Sequence, residues 1–522
     1  MRQRSQTAVD SRLIRKILVA NRGEIAVRVI RACREMGLKA VAVYSECDRA
    51  ALHVRYADEA YTIGPNPPTD SYLRIDKLLD VARRSGADAV HPGYGFLAEN
   101  GTFATACRDA GLTFIGPAPE AMALMGSKTG ARQAAIAAGV PVVPGTEKSL
   151  GPDVCDDEIE RIAAGLGYPV LVKAVAGGGG KGMRVAAAPD ELSSAVRAAR
   201  SEAASSFGDP AIYIERRIAR PRHVESQLLA DVHGTVVPFV ERECSIQRRH
   251  QKVVEESPSM VVTPATRQAM AAAAVAVARQ AGYTNAGTME FLFDEDGRFY
   301  FLEMNTRLQV EHPITELVTG VDLVQWQIRI AEGAPLTLTT ERTLAPHGHA
   351  IECRIYAEDP DNYFLPSPGR VLGLRVPAGP GIRRDDGGVT AGHEVPIFYD
   401  PLIAKLSAWA EDRPRAIARM ARALGEYEVR GIKTSIPFFR WLLADDGFRE
   451  GRFDTTTLDG LLQTRAGHPF LDISAEAQEV ALVATALDAF ERARQGPDSA
   501  ESGGGGAPKS AWKVRARMEA LR

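Results

Sequence analysis

The spacing of apolar residues along the chain changes period several times, and the changes mark out its parts. Ile17-Leu-Val-Ala20 is a short unbroken apolar run. After Asn21-Arg-Gly-Glu24, the residues Ile25, Val29, Ala32, Cys33 and Met36 recur at helical spacing and stop at Gly37, and Ala40-Val-Ala-Val-Tyr44 is apolar again. Unbroken runs of this length suit strands buried on both faces, and the stretch between them suits an amphipathic helix, so the segment predicts a strand–helix–strand unit. Ala89-Val-His91, leading into Pro-Gly-Tyr-Gly95, predicts a further strand ending in a glycine-bearing loop. The turn after Ala20 lacks the G-x-G-x-x-G spacing of a dinucleotide site, so the unit is read as scaffold.

A second region, from about Gly126 to Gly208, is built on the apolar strands Val170-Leu-Val-Lys-Ala174 and Met183-Arg-Val-Ala186, with Gly177 to Gly180, Lys181 and Gly182 between them. This is not a Walker loop: no Ser or Thr follows Lys181, and the next element is a strand, not a helix. Glycine permits close backbone approach and positive φ, so the run predicts a hairpin flap whose N–H groups, at Gly178, Gly179 and Gly180, fold over phosphates; the alternative is a linker. Lys173, on the strand leading in, adds a positive charge. An alanine-rich helical stretch follows from Ala188. A third region has strands around Glu225, Cys244 and Glu290, and a helix opened by Thr263-Pro264 and closed before Gly282.

The sharpest local signal is a hairpin. Thr288-Met-Glu-Phe-Leu-Phe-Asp-Glu295 joins Arg298-Phe-Tyr-Phe-Leu-Glu-Met-Asn305 through Asp296-Gly297, a favoured two-residue turn. Counting outward from that turn sets Glu290 opposite Glu303, with Phe291, Phe293, Tyr300 and Leu302 on the other face. Facing carboxylates repel unless a cation lies between them. Asn305, two residues beyond Glu303, adds an oxygen on the same face. Oxygen donors without Cys or His point to Mg²⁺ or Mn²⁺. Beyond the hairpin, Arg307, Gln309 and Glu311 alternate, so an extended segment would present a guanidinium, an amide and a carboxylate together. That set suits a small planar anion, with Glu311 able to move a proton.

Composition narrows the class. The 522 residues are 45% hydrophobic and 25% charged with a formal net charge of -3, which predicts a soluble, cytoplasmic, multidomain enzyme with no nucleic-acid and no membrane partner. Six scattered cysteines without C-x-x-C spacing read as reduced thiols, with apolar packing expected for Cys244 and Cys353. His347 and His349 lack a third ligand and are read as surface or structural, and His312 as an orienting residue. The polar leader contains no secretory apolar core. Gln495 to Ser510, with Gly503 to Gly506, predicts a flexible linker before a basic amphipathic piece, Trp512 to Arg522.

Gly126-Ser-Lys128, Lys173 with the glycine run, Arg222-His-Val-Glu225, Arg248-Arg-His-Gln-Lys252, Glu303 to Pro313 and Ile351-Glu-Cys-Arg354 together resemble biotin carboxylase, the ATP-grasp component of biotin-dependent carboxylases, over about Lys16 to Leu462. The resemblance implies an α/β and α+β multidomain fold. Its parts would be a leader (1–14), a Rossmann-like N-terminal domain (15–125), an ATP-grasp domain (126–335, flap about 143–217), a C-terminal domain (343–462) and a helical tail with a Gly-rich linker (463–522). It implies that Lys128, Lys173, Gly178, Gly179, Gly180, Glu215, His223, Gln247 and His250 bind ATP, and that Glu290, Glu303 and Asn305 hold two Mg²⁺ or Mn²⁺ ions. Lys252, Arg307, Gln309, Val310 and Arg354 would surround bicarbonate and biotin, with Glu311, Arg354, Lys252 and Arg307 catalytic and Asp400 near biotin. Expected partners are a second copy in a homodimer, a biotin carboxyl carrier protein and a carboxyltransferase subunit. Tyr356 and the long tail look closer to acyl-CoA carboxylase α-subunits, yet no Ala-Met-Lys-Met biotinylation motif is present, so biotin is expected on another polypeptide unless the chain has been cut short. The rival readings are an ATP-grasp ligase that uses an amine, and a non-catalytic nucleotide-binding subunit.

Overall fold

The computed structural model describes residues 13–175, 182–465, 467–471 and 474–495. The glycine run, including Gly178, Gly179 and Gly180, lies outside them, as do residues 1–12 of the leader and residues 496–522. The chain divides into two compact units, one ending at Phe470 and the other beginning at Leu471. The first core therefore extends past the boundary expected at Leu462: Phe470 packs on Phe438 and Trp441 at centroid distances of 5.7 and 5.3 Å. A lone aromatic among polar residues gave no periodic signal. In the second unit, the helix Ala475–Gln495 carries exposed Val480, Val483, Leu487 and Phe490. Among the described residues no helix is long and apolar enough to cross a membrane.

The scaffold unit is a parallel sheet of β1 (Lys16–Val19), β2 (Lys39–Ser45), β3 (Glu59–Gly64), β4 (Ala89–His91) and β5 (Thr113–Phe114), in the order β3-β2-β1-β4-β5. Ile17, Leu18 and Val19 are all fully buried, which is why their run is unbroken. The chain order reverses between β1 and β4, the place where open α/β sheets receive ligands. Here it is closed. Asn21 donates to the carbonyls of Pro92 (2.7 Å) and Tyr94 (2.8 Å). Gly387 lies so close to the first helix, Gly23–Glu35, that a Cβ on it would be 3.2 Å from Gly23 Cα. The scaffold reading agrees with this.

A small antiparallel sheet follows, with β6 (Val170–Ala174) between β7 (Met183–Ala186) and β8 (Ile212–Arg216), and the helix Pro189–Phe207 begins directly after β7. The site is built on a larger antiparallel sheet: β9 (Arg222–Ala230), β10 (Val236–Pro238), β11 (Arg242–Arg248), β12 (Gln251–Ser257), β13 (Asn285–Phe293), β14 (Phe299–Asn305) and β15 (His349–Tyr356). Its order is β14-β13-β9-β11-β12-β15, continued by Leu402–Ala410 and Ile382–Asp386, with β10 beside β9. One sheet thus crosses the boundary expected between 335 and 343. β12 would otherwise present a bare edge, and β15 pairs with it from Val254↔Cys353 to Ser257↔Ala350.

The hairpin differs from its expected form in two ways that cancel at the carboxylates. Asp294, not Glu295, pairs with Arg298, so the loop has three residues and ends at Gly297 with φ +78°. A bulge then sets Leu302 and Glu303 both against Glu290, since Phe291 pairs with Phe301 and Glu290 with Glu303. Glu290 does face Glu303. The tip half of β14 is nevertheless out of phase with the count: Phe299 and Phe301, not Tyr300 and Leu302, join Phe291 and Phe293 in the core.

Candidate active site

Lys128, Lys173, Glu215, His223, Gln247, His250, Lys252, Glu290, Glu303, Asn305, Arg307, Gln309, Val310 and Arg354 all line one cavity of about 720 Å³, together with Tyr356, Asp400, Leu292 and Leu302. The fold gathers them from five places. Lys128 is the first residue of the helix Lys128–Ala137, whose N-cap Ser127 accepts from Gly130 N–H. Lys128 thus stands at the positive end of that helix. Lys173 on β6 is buried against Glu215 on β8. Burial first, and then the charge of Lys173, pull the Lys128 pKa down. Two lysines beside a helix N-terminus favour an anion.

The centre of the site is the Lys252 ammonium on β12. It lies 2.5 Å from Glu225, 2.8 Å from Glu290 and 2.7 Å from Glu311, all three buried. Burial alone would lower its pKa, but the three carboxylates raise it well above the ordinary value. Glu290 responds in the opposite sense: burial disfavours its charge, yet Lys252 and His223 hold it well below the usual carboxylate range. His223 Nε2 is 2.9 Å from Glu290, and Gln247 joins His223 Nδ1 at 3.0 Å. The His223 pKa is raised, Glu290 outweighing burial. Asn305 and Gln309 donate to Glu290 at 2.8 and 3.2 Å.

Glu303 behaves differently. Its side chain is exposed to the cavity, and its pKa is raised, first by burial of the carboxyl and then by Glu290. A carboxyl pushed up by a second carboxylate marks a position where a cation would be welcome, and Glu290, Glu303 and Asn305 offer hard oxygens from adjacent strands. The residues fit Mg²⁺ or Mn²⁺. Two other groupings, His223-Glu225-Glu290 and Glu225-Cys244-Glu311, also bring donor atoms together. The Lys252 ammonium holds both carboxylates of each grouping, Glu225 with Glu290 and Glu225 with Glu311, whereas in the Glu290–Glu303–Asn305 set it holds Glu290 alone and, among the described residues, no ion pair engages Glu303.

The segment after β14 holds its three residues, though not as one extended face. Arg307 reaches Gln309 Oε1 (2.8 Å), Asn305 Oδ1 (3.3 Å) and Glu99 (3.0 Å). Glu311 turns inward at the N-cap of the helix His312–Thr319 and meets Arg354 at 3.0 Å. Burial would raise its carboxyl, but Lys252 and Arg354 keep it well below the usual range. His312 is fully buried, with Nδ1 2.8 Å from Gln309 O, an orienting contact. His349 binds Glu256 at 2.9 Å, and His347 stacks on Trp409. Cys353 is a core residue. Cys244 departs from the apolar expectation, since its Sγ lies 4.0 Å from Glu311.

Sequence reasoning gave no role to Glu225, Arg242, Glu255 or Glu99. Arg242 is fully buried and clamps Glu225 at 2.5 Å, and Glu255 receives Arg354 Nε at 2.6 Å. The Glu255 pKa is pushed up to about 8, by burial first, against the pull of Arg354. Arg242 and Glu255 stand in the polar-rich strands Arg-Glu-Cys-Ser-Ile-Gln-Arg and Gln-Lys-Val-Val-Glu-Glu-Ser, and Glu99 lies outside any strand, so no local pattern singles them out.

The ATP-grasp arrangement defines a ligase that works on phosphates, and comparison with known proteins specifies it. Residues 13–122 match the model of the biotin carboxylase N-terminal domain, 127–339 that of the carbamoyl-phosphate synthase L chain ATP-binding domain, and 352–460 that of the biotin carboxylase C-terminal domain. One subunit of the pyruvate carboxylase of Methanothermobacter thermautotrophicus is 54% identical over 444 residues, 85% of this chain and 89% of that protein. Biotin carboxylase 1 of Bacillus subtilis is 50% identical over 448 residues, 86% of this chain and 98% of its own length. The biotin carboxylase domain dimer of Hydrogenobacter thermophilus 2-oxoglutarate carboxylase, in complex with MgADP, ADP and bicarbonate, superposes with a TM-score of 0.83 at 47% identity, covering 89% of this chain and 100% of that one. A biotin carboxylase–β,γ-ATP complex from Campylobacter jejuni gives 0.82 at 45% identity, covering 86% and 99%. This chain belongs to the biotin carboxylase family. It is an ATP-dependent ligase that carboxylates biotin with bicarbonate, as a component of the biotin-dependent carboxylases.

Proposed function

We propose that Glu311, which is fully buried behind the lining residues Lys252 and Arg354 and is not itself part of the cavity wall, is the general base for bicarbonate, and that the Lys252 junction of Glu225, Glu290 and Glu311 is its electrostatic anchor. That junction is the observation that carries the reading: one ammonium joins the metal-side carboxylate Glu290 to the base Glu311. Lys128, Lys173 and His223 bind the phosphates, and Gln247, His250 and Glu215 line the rest of the nucleotide site; the ATP contacts expected of Gly178, Gly179 and Gly180 fall outside the described residues. Glu290, Glu303 and Asn305 would hold Mg²⁺ or Mn²⁺, two ions being expected, which supply charge neutralisation at the phosphates.

Lys252, Arg307, Gln309 and Val310 surround bicarbonate. Glu311 takes its proton as a bicarbonate oxygen bonds to the γ-phosphorus, and the bond to ADP breaks, giving carboxyphosphate. This splits into CO₂ and phosphate. The phosphate accepts the proton of the biotin ureido N–H, and that nitrogen bonds to CO₂. Arg354 stabilises the enolate-like oxygen formed meanwhile, with Asp400 beside it. Water has to be excluded throughout.

Biotin arrives on a carrier protein, and the carboxyl group passes to a carboxyltransferase subunit of an acyl-CoA carboxylase complex. A homodimer is inferred from the dimer of the Hydrogenobacter relative. Six free cysteines and a soluble fold support a cytoplasmic setting. The test is bicarbonate-dependent ATP hydrolysis with free biotin. Stimulation by biotin is expected; stimulation by an amine with no response to biotin would overturn the reading. Co-purification with a transferase for pyruvate or another 2-oxo acid would overturn the acyl-CoA assignment.

A further inference from the structure

Behind the catalytic turn lies a lysine that the reaction as described does not use. Lys405 is fully buried on the strand Leu402–Ala410. Its Nζ donates to Val310 O at 2.9 Å and lies 3.2 Å from Glu24 at the start of the first helix, and 5.6 Å from the centroid of the Tyr94 ring. Lys405 sits directly across the sheet from Arg354 on one side and from Asp385 on the other. Arg354 grips the Glu311 carboxylate while its cross-strand neighbour grips the carbonyl of the preceding residue. Two cations side by side on a ladder normally cost stability. Here Glu24 and Asp385 supply compensating charge, and the arrangement ties the N-terminal sheet, the catalytic turn and the C-terminal strands at one point.

We propose that Lys405 is a positioning residue for the bicarbonate step. Its ammonium fixes the Val310–Glu311 peptide, so that Val310 backs the anion and Glu311 leaves the turn aimed at Lys252 and Arg354. The turn between β14 and the helix His312–Thr319 is closed by His312 on Gln309 O, and the Glu311 carboxylate is held by Lys252 and Arg354; the carbonyl of Val310 is held by Lys405. A buried hydrogen bond from a charged donor is strong enough to decide its orientation. The assignments above give the phosphates to Lys128, Lys173 and His223, none of which belongs to this peptide. The role is therefore specific to one substrate.

This rests on the assignment of Val310 and Glu311 to bicarbonate. The experiment is steady-state ATP hydrolysis by the full-length chain with free biotin, varying ATP and bicarbonate separately. Lys405→Met is expected to raise the bicarbonate KM about tenfold and leave the ATP KM unchanged. Lys405→Gln, which keeps a donor without the charge, should recover part of the loss. A lower kcat with both KM values unchanged, as fewer folded molecules would give, overturns the proposal, and so does an equal rise in both. If Lys405→Met does not fold, Glu24→Gln is read in the same way, with about a threefold rise in the bicarbonate KM expected and no rise overturning the idea. Glu311→Gln, run in parallel, separates the two readings. Full turnover there would mean that Glu311 is not the base, whereas failure confined to the Lys405 variants counts against the positioning role alone.

Discussion

Two buried charge clusters lie back to back in this molecule, and they differ in what they leave open. In front, Lys252 joins Glu225, Glu290 and Glu311 at the wall of the cavity, and Glu303 stands exposed beside them. Behind, Arg383 and Arg28 share Glu316 at 2.6 and 2.8 Å, and Lys405 joins Glu24, all of them buried except the half-buried Arg383. Burying charge is costly in either place, and removing one partner costs more than the pair contributes. In the rear cluster the charges are matched by protein groups, which suits a joint between domains. The front cluster has a surplus of carboxylate at Glu303 and a surplus of ammonium at Lys128, the mark of a site that waits for a metal and for phosphate.

The contrast can be tested from both sides. The largest effect should come from Glu303→Gln: ATP turnover falls by about three orders of magnitude. Thermal stability should hold or rise slightly, because the charge facing Glu290 is gone. Unchanged turnover would remove Glu303 from the metal site. Lys252→Met should lower stability by about 3–5 kcal/mol, seen as a shift in the denaturant midpoint, since it strands three buried carboxylates. A change within error would mean that water or a rearranged Arg354 takes over.

The smallest effect belongs to the rear cluster and depends on pH. The Glu24 pKa is pushed up to about 7, by burial first, with Lys405 opposing. Between its unfolded value, near 4.5, and about 7 the folded protein keeps a proton that the unfolded chain has released, so stability falls as pH rises across that window and then levels off. Glu24→Gln abolishes this slope. Its stability relative to the parent should rise from pH 5 to pH 8, by roughly 3 kcal/mol at most, on top of a pH-independent loss from leaving Lys405 without its partner, measured by thermal melts across pH. A gap that does not vary with pH would mean that Glu24 is ionised throughout.

What was legible in the sequence was what a single element carries. Glu290 and Glu303 sit on one hairpin, and Arg307, Gln309 and Glu311 follow it in the chain, so nearness in sequence brings them together even though the turn has three residues and the alternating segment is not extended. Lys252 could be named from its motif, but its partner Glu225 comes from another strand, and the order β13-β9-β11-β12 that brings them together is not a local property. Arg242, Glu255 and Lys405 escaped notice for the same reason. Each is a charged residue in a buried strand, and its partner is set by sheet order rather than by spacing. The phase of β14 near the hairpin tip was misjudged because Asp-Gly fits both a two-residue and a three-residue loop, and nothing in Phe-Tyr-Phe-Leu distinguishes the aromatic that packs inward from the one that does not.

The bulge at Leu302 bears on how relatives of this chain are to be compared. The hairpin carries two frames for reading inside from outside, one valid from the tip to Phe301 and the other from Glu303 onward. A homologue lacking the residue equivalent to Leu302 could retain every letter of the Glu303–His312 stretch, with its two carboxylates still facing each other. It would nevertheless lose one apolar wall of the cavity. An intact motif and an intact binding shape are thus separate inheritances in this family, and selectivity for a nucleotide or an inhibitor can drift through the one residue that pattern matching passes over.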